Sequence, residues 1–488
     1  MSQIRLPIEI RHSSRASSGG SKSCLLLLSY HFPPGQGAGA LRWQKMAEYV
    51  SAAGWEIDVV TRAPSTSLDG AVQAELDGLP LNVQVWGVED AKTSVDQFVS
   101  PLVTIASRIR RLGRRKTAEA EDAQAGAVAA VERMHPRSIA SDDITWRPFR
   151  QLPRRAYGAL YRLSIDRAWA RRVGSLAGRL VDDSGGYQAL VTCGPPHEVH
   201  VTGARIARKH KIPHVVDLRD PWRFVERLHE PVASPVWKHL STAAEVWTVR
   251  GAALVIANTP AAARRLRAAY PPAAHRIISI PNGCDVVFPR IDSHTGGPLT
   301  VLFAGSIYLD RDPVPFFEGT ARMIRKHNVS PSEFKIVFVG HVEYFEGVRT
   351  DELARRYGLA EFLELIPFEP RNRLFERLSN AHVLLSLPQD SDMAVPSKIY
   401  EYTGFPAWLL IMADPGSATW ELLHGSGADL VPFKNPSEIE RMLGIRLEQF
   451  RRGELPQPLA KSPEFLRSTY VRPFLEFLES LSREPPAP

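Results

Sequence analysis

Cys24-Leu25-Leu26-Leu27-Leu28-Ser29-Tyr30 is an apolar run of strand length, and the segments that follow it decide the fold. After a turn carrying glycines, Ala40 to Ala53 places Leu41, Met46, Ala47 and Val50 at helical spacing. A second strand, Glu56 to Thr61, follows Gly54. Strand, turn, helix and strand in that order form a βαβ unit, which calls for a parallel sheet covered on both faces.

The same grammar continues outward from this segment. Ala189 to Thr192 reads as a strand, Val199 to His210 as a helix, and His214 to Leu218 and Leu254 to Ala257 as strands. Asn258-Thr259-Pro260 supplies a cap and a proline at a first helical position, and Ala261 to Ala269 continues as helix. Ile277 to Ile280 and the turn Pro281-Asn282-Gly283 close this half. Past a linker at Thr295 to Pro298, strands restart at Leu299 to Phe303, Lys335 to Val339 and His382 to Leu387. The expected organisation is a disordered tail over 1–22, a first α/β domain over 23–290 and a second over 296–455. Residues 456–488 are expected to supply a helix packing back on the first domain and then a disordered tail. A basic, Arg-rich insertion, about 105–178, breaks the rhythm of the first domain with helical stretches at Ala118 to Met134 and Ala156 to Val173.

Length and composition agree with two cores: 488 residues, 44% hydrophobic and 23% charged. No stretch approaches the ~20 apolar residues of a membrane span, and Cys24 to Leu28 is too short for a signal-peptide core, so a soluble cytoplasmic chain is expected. Cys24, Cys193 and Cys284 lie far apart, without the spacing of a disulfide framework or a zinc cage. The net charge of +7 favours an anionic partner without choosing among nucleotide phosphate, nucleic acid and lipid.

Five segments concentrate polar chemistry at predicted strand ends, where ligands of open α/β sheets bind. They are the turn from Tyr30 to Ala40 with Gly37 and Gly39, Thr192-Cys193-Gly194-Pro195-Pro196-His197, Asp217-Leu218-Arg219-Asp220-Pro221-Trp222, and Phe303-Ala304-Gly305-Ser306 with Asp310-Arg311-Asp312-Pro313 after it. The fifth, and the most specific, is Pro396-Ser397-Lys398-Ile399-Tyr400-Glu401-Tyr402-Thr403-Gly404-Phe405-Pro406, which sets Lys398 and Glu401 three apart on one helical face. In this order the segments resemble glycosyltransferase family 4 and its relatives with the GT-B fold, over roughly Leu25 to Thr61, Ala189 to Asp285 and Leu299 to Phe433. The last of them resembles the PxKxxEYxxxGxP variant of that family's nucleotide-sugar helix.

The resemblance implies two facing Rossmann-like domains and transfer of a sugar from a nucleotide-diphosphate sugar to an acceptor hydroxyl. It further implies retention of anomeric configuration, no metal, and a role in cell-surface polysaccharide or glycolipid synthesis. Glu401 is expected to accept from the ribose hydroxyls. Gly305 and Ser306 offer amides to the diphosphate, with Lys398 and Arg311 neutralising its charge. Gly37 and Gly39 let backbone approach the donor, and His197 hydrogen-bonds a donor sugar hydroxyl. Arg219 and Asp220 belong to the acceptor side. One departure stands out: the family pattern has a second glutamate eight positions before the nucleotide-binding one, and here that position is Met393; either Asp392 beside it substitutes as a donor ligand or the sugar is held differently.

Plainer readings stand beside these. The glycines can make an ordinary tight turn, His197 a helix start, Arg311 a surface pair with Asp310 or Asp312, and Lys398 with Glu401 an exposed ion pair. No cofactor is expected beyond the nucleotide sugar as co-substrate: there is no HExxH and no Cys/His cluster, and Gly35-Gln36-Gly37-Ala38-Gly39 lacks GxGxxG spacing. The expected partners are the nucleotide sugar and a sugar or lipid-linked acceptor, not nucleic acid. Arg108, Arg110, Arg111, Arg114, Arg115 and Lys116 suit contact with the inner face of an anionic membrane, or else a solvated helix pairing with Glu119, Glu121 and Asp122. Rival functions are a nucleotide-sugar epimerase of GT-B-like fold and a non-catalytic nucleotide-sugar-binding scaffold.

Overall fold

The computed structural model describes residues 8–11, 23–35, 38–64, 70–90, 148–184, 186–220, 222, 224, 235–289, 297–308, 311–388 and 391–483. Gly37, the basic run from Arg108 to Lys116 and the predicted helix Ala118 to Met134 lie outside these residues. The chain divides into two compact units, one made of Met1–Ile256, Tyr270–Ile277 and Phe474–Pro488, the other of Ala257–Ala269 and Ile278–Pro473.

The first sheet is built from β1 (Ile8–Arg11), β2 (Cys24–Ser29), β3 (Glu56–Arg62), β4 (Val83–Val88), β5 (Ala189–Gly194), β6 (His214–Leu218), β7 (Leu254–Ala257) and β8 (Ile277–Ser279). They lie in the order β1-β4-β3-β2-β5-β6-β7-β8, with the pairs from β4 to β6 parallel and β1 antiparallel on β4. The helices are α1 (Ala38–Ala52), α2 (Gly70–Asp77), α3 (Pro148–Asp183), α4 (Glu198–His210), α5 (Pro235–Gly251) and α6 (Pro260–Ala269). The last of these packs with the second unit. Leu25 to Leu28 are all fully buried, as a strand covered on both faces requires.

Two expectations for this unit are corrected. Within the stretch read as a disordered tail, Ile8–Arg11 forms β1, paired with Val85 to Gly87. Its Ile-Glu-Ile-Arg alternation is a short edge-strand pattern hidden in polar composition. The last part of the insertion is not an excursion either. Along α3, Trp169, Ala170, Val173, Leu176, Ala177 and Val181 are buried at helical spacing, and most of them pack with Leu26, Leu28 and Val60 of the sheet. Exposed arginines at 167, 171, 172 and 179 cover the other face and give the segment its basic look.

The second sheet contains β9 (Leu299–Ser306), β10 (Phe334–His341), β13 (Leu363–Ile366), β14 (Val383–Ser386), β15 (Trp408–Met412) and β16 (Asp429–Val431), in the order β13-β10-β9-β14-β15-β16 and parallel throughout. A small hairpin joins β11 (Tyr344–Phe345) to β12 (Val348–Arg349). The helices are α7 (Val314–His327), α8 (Thr350–Arg356), α9 (Arg371–Asn380), α10 (Ser397–Thr403), α11 (Ala418–Leu423), α12 (Pro436–Arg451) and α13 (Arg467–Arg483).

Alternation along β9 and β10 sends Val301, Phe303, Ile336 and Phe338 to one core, with Phe316, Phe317, Ile439 and Leu443 from α7 and α12. Leu302, Ala304, Val337 and Val339 face the other, with Ile399, Tyr400 and Tyr402 from α10 and Phe405 just past it. Burying such side chains stabilises by about 1.5–3 kcal/mol each. The result is a rigid sheet whose carboxyl-terminal edge carries the polar turns.

Candidate active site

In the second unit the site grows from the end of β9. Gly305 has φ +144°, open to glycine, and it lies opposite Gly340 in the β9–β10 register. Gly340, at φ +120°, leaves no room for a side chain: a Cβ there would stand 2.2 Å from the Gly305 carbonyl oxygen. The first turn of α10 brings Lys398 to this point. Its Nζ lies 4.1 Å from the centroid of the Phe303 ring and 3.5 Å from the Ala304 carbonyl oxygen. Tyr402, one turn along the same helix, locks the arrangement by accepting a hydrogen bond from the Ala304 amide at 3.1 Å.

Arg311 closes the other side. Its Nη1 donates to the Ser306 carbonyl at 3.2 Å, its guanidinium lies over the Tyr308 ring at 4.3 Å, and its buried Nε has no hydrogen-bond partner among the described residues. Asp312 does not pair with it. That carboxylate accepts instead from the Val314 amide at 2.8 Å, at the start of α7. Among the described residues neither Lys398 nor Arg311 has an acidic partner. Burial, and after it the neighbouring Arg311 charge, hold the Lys398 ammonium well below lysine's ordinary range. Charging both basic groups at a glycine turn is costly without an acidic partner, and an anion with several oxygens offsets that cost.

Glu401 stands one turn beyond Lys398, as its spacing predicts, and Arg371 at the start of α9 donates to its Oε1 at 2.5 Å. Nothing in the sequence signals this partner, which lies 30 residues away. Asp392 is exposed, and among the described residues its backbone carbonyl, not its carboxylate, is engaged, accepting from the Ala418 amide at 2.6 Å. Met393 is 6% exposed, a core side chain whose carbonyl accepts from the Thr259 hydroxyl at 2.5 Å.

In the first unit a second polar cluster forms at the ends of β2, β5 and β6. Asp217, fully buried, accepts from Arg42 Nε at 2.8 Å, Arg42 Nη2 at 3.0 Å and Trp43 Nε1 at 2.7 Å, tying the start of α1 to the end of β6. Arg219 pairs with Asp220 at 3.1 Å and lies over Gly39, where a Cβ would stand 1.9 Å from its Nη1. Gly39 therefore gives room to Arg219. His197 stacks on Trp222 with centroids 5.0 Å apart, and its buried Nδ1 has no hydrogen-bond partner among the described residues. Burial brings His197 down to about 4, with Asp220 raising it and Arg219 lowering it, so the ring is neutral at neutral pH. Thr192 Oγ1 bridges the two buried rings behind it, 2.8 Å from His200 Nδ1 and 2.9 Å from His214 Nε2.

Of the residues singled out in the sequence, the structure brings together Gly305, Ser306, Arg311 and Lys398 with Glu401 beside them in one unit, and Gly39, Arg219 and Asp220 in the other. Tyr402, Gly340, Arg371, Arg42 and Trp43 complete the two clusters. Tyr402 was within reach of sequence reasoning, since it follows Glu401 in the same motif. The others are set by packing across strands. Among the described residues no group of three His, Cys, Asp or Glu side chains is placed to hold a metal ion, and no helix is long and apolar enough to cross a membrane.

Two Rossmann-like α/β units with polar turns at their strand ends define the GT-B fold of glycosyltransferases. A glycosyltransferase from Rickettsia africae matches with a TM-score of 0.56 at 11% identity over 96% of this chain and 100% of that one. Anabaena HepE (Alr3699), solved with UDP and glucose, matches with 0.56 at 15% identity over 94% and 100%. A Listeria monocytogenes protein designated a UDP-N-acetylglucosamine 2-epimerase matches with 0.50 at 11% identity over 96% and 98%. No family model and no curated sequence matches the chain.

Proposed function

We propose that this protein is a family 4-like glycosyltransferase, which moves a sugar from a nucleoside-diphosphate sugar to an acceptor hydroxyl. The observation that carries the reading is the Lys398 and Arg311 pair at the Gly305 turn, two basic side chains without an acidic partner among the described residues. Glycosyl transfer breaks the bond between the anomeric carbon and the diphosphate, and negative charge grows on the departing oxygens. Positive groups fixed beside them stabilise that state more than the ground state. Glu401 accepts from the ribose hydroxyls, while the neutral His197 ring exchanges a hydrogen bond with a sugar hydroxyl. Arg219 and Asp220 orient the acceptor. Retention, metal independence and a place in cell-surface polysaccharide or glycolipid synthesis complete the reading and rest on the family resemblance of the sequence. The UDP and glucose held by a protein of the same fold support a nucleotide sugar as the ligand.

The deciding experiment incubates the protein with a panel of nucleotide sugars, with and without candidate acceptors, and follows thermal stabilisation and products by mass spectrometry. A glycosylated acceptor and free nucleoside diphosphate are expected. An isomerised nucleotide sugar formed without acceptor indicates an epimerase, and stabilisation without turnover indicates a binding scaffold.

A lipid-linked acceptor at the inner face of the membrane fits the basic run from Arg108 to Lys116. Each such residue near anionic lipid contributes about 1 kcal/mol. The protein is expected to sediment with anionic but not neutral vesicles, less so at high salt and less so when the six basic residues become glutamine. Sedimentation indifferent to lipid charge points to a soluble acceptor.

A further inference from the structure

The structure assigns to Arg371 the task of presenting Glu401 to the nucleotide ribose. The inference rests on the proposed reading of Glu401 as the ribose ligand and adds a residue that the sequence motif does not contain. The ion pair is one-sided: Arg371 Nη2 takes Oε1 at 2.5 Å, and the second carboxylate oxygen is not part of that bond. Glu401 is a quarter exposed, so it keeps an open side.

What distinguishes this pair from a chance surface contact is the floor beneath it. The Arg371 guanidinium lies over the Phe375 ring at 4.5 Å. Phe375 meets Phe405 edge-on at 5.6 Å and Phe288 edge-on at 5.1 Å, and Phe288 and Phe405 stack at 4.3 Å with their planes 8° apart. Phe405 is fully buried and follows Glu401 by four residues in the same segment. Both ends of the ion pair are thus rooted in one aromatic cluster, the arginine through the ring below it and the glutamate through its own chain. An arginine stacked on a ring has lost much of its freedom before it forms a hydrogen bond, so it fixes a carboxylate rotamer better than a free one does. A carboxylate held by one oxygen presents the other in a set direction, as paired recognition of adjacent hydroxyls requires.

Arg371 is therefore a positioning residue, and its signature is selectivity. UDP, GDP and ADP are titrated by calorimetry, and the one that binds is compared with its 2′-deoxy analogue. In the wild-type protein the ribonucleotide is preferred, and Glu401→Gln removes most of that preference. Arg371→Met is expected to weaken ribonucleotide binding roughly tenfold while leaving the deoxy analogue nearly unchanged. Arg371→Lys restores part of the preference, and Phe375→Leu, which keeps both charges and removes the floor, loses part of it. If Glu401→Gln removes the preference but Arg371→Met keeps it, or if Arg371→Met tightens ribonucleotide binding, the assignment of Arg371 is overturned while Glu401 keeps its role. If none of the three nucleotides binds, or if Glu401→Gln leaves the preference unchanged, the reading of the ribose site fails and the assignment falls with it.

Discussion

Lys398 is the residue at which sequence and environment most nearly contradict each other. Its place in the motif makes it the natural partner of a phosphate, yet its walls are a phenylalanine ring, a backbone carbonyl and another cation. The depressed folded pKa sets the sign of two effects. Between that value and about 10.4, where lysine titrates in the unfolded chain, the unfolded state holds the extra proton, so this group makes the fold more stable as pH rises. Lys398→Met should lack that rise, which pH-dependent thermal unfolding of the two proteins would reveal. An arriving diphosphate favours the charged ammonium, so binding should take up protons at pH values above the depressed folded pKa of Lys398. Calorimetry in buffers of different ionisation enthalpy measures it, and an uptake that persists in Lys398→Met assigns the proton elsewhere. Turnover of the variant should fall by about 10²–10³-fold, the loss expected when one stabilising group is removed from a developing oxyanion. Wild-type turnover in Lys398→Met would leave Arg311 as the working cation.

At the scale of elements, the turn after β9 depends on its neighbour strand as much as on its own glycine. Gly340→Ala would drive a methyl group into the Gly305 carbonyl in a backbone region that alanine seldom adopts, at a cost of about 1–3 kcal/mol. Chemical denaturation measures that cost, and the nucleotide affinity should fall in the same variant because the Gly305 turn shifts. A variant as stable as wild type that binds normally would mean that the strand ends move apart freely. This dependence also explains which elements were legible. His214–Leu218 and Leu254–Ala257 agree to the residue with the sequence reading, since a short apolar run between turn residues has few alternatives. Pro260–Ala269 starts where its proline predicts, with the Thr259 hydroxyl accepting from the Ala262 amide at 3.1 Å. Leu363–Ile366 and Asp429–Val431 escaped because three or four residues with polar members carry no period. The helix α3 was legible over Ala156 to Val173 but its packing was not: its arginines dominate composition, while its apolar stripe decides where it packs. In the site, the motif of α10 gave Lys398 and Glu401, whereas Arg371 and Gly340 are partners chosen by register and crossing chains, which one linear sequence does not display.

At the scale of the molecule, each unit is assembled from separated stretches of chain. The first takes in Phe474 onward, where Phe474 and Leu478 are buried and the Phe474 ring meets Trp43 edge-on at 6.0 Å. Phe474→Ala should cost about 3–5 kcal/mol, measured by denaturant unfolding; a loss near zero would mean that the C-terminal helix does not dock there in solution. The second unit takes in Ala257–Ala269, including Thr259, whose hydroxyl meets the Met393 carbonyl. That interleaving bears on how such a chain can be recombined. A chimaera joined only at the linker before β9 would carry a new second sheet into a chain that still supplies the old Thr259 and α6, so the incoming loop at position 393 would meet a foreign hydroxyl and a foreign helix. Exchange of the second sheet by a single crossover is thereby penalised, and a swap that keeps its stability must move two or more segments together. The practical unit of inheritance for this chain is a set of matched pieces, and gradual substitution within the turns at the strand ends is the less disruptive route to altered chemistry there.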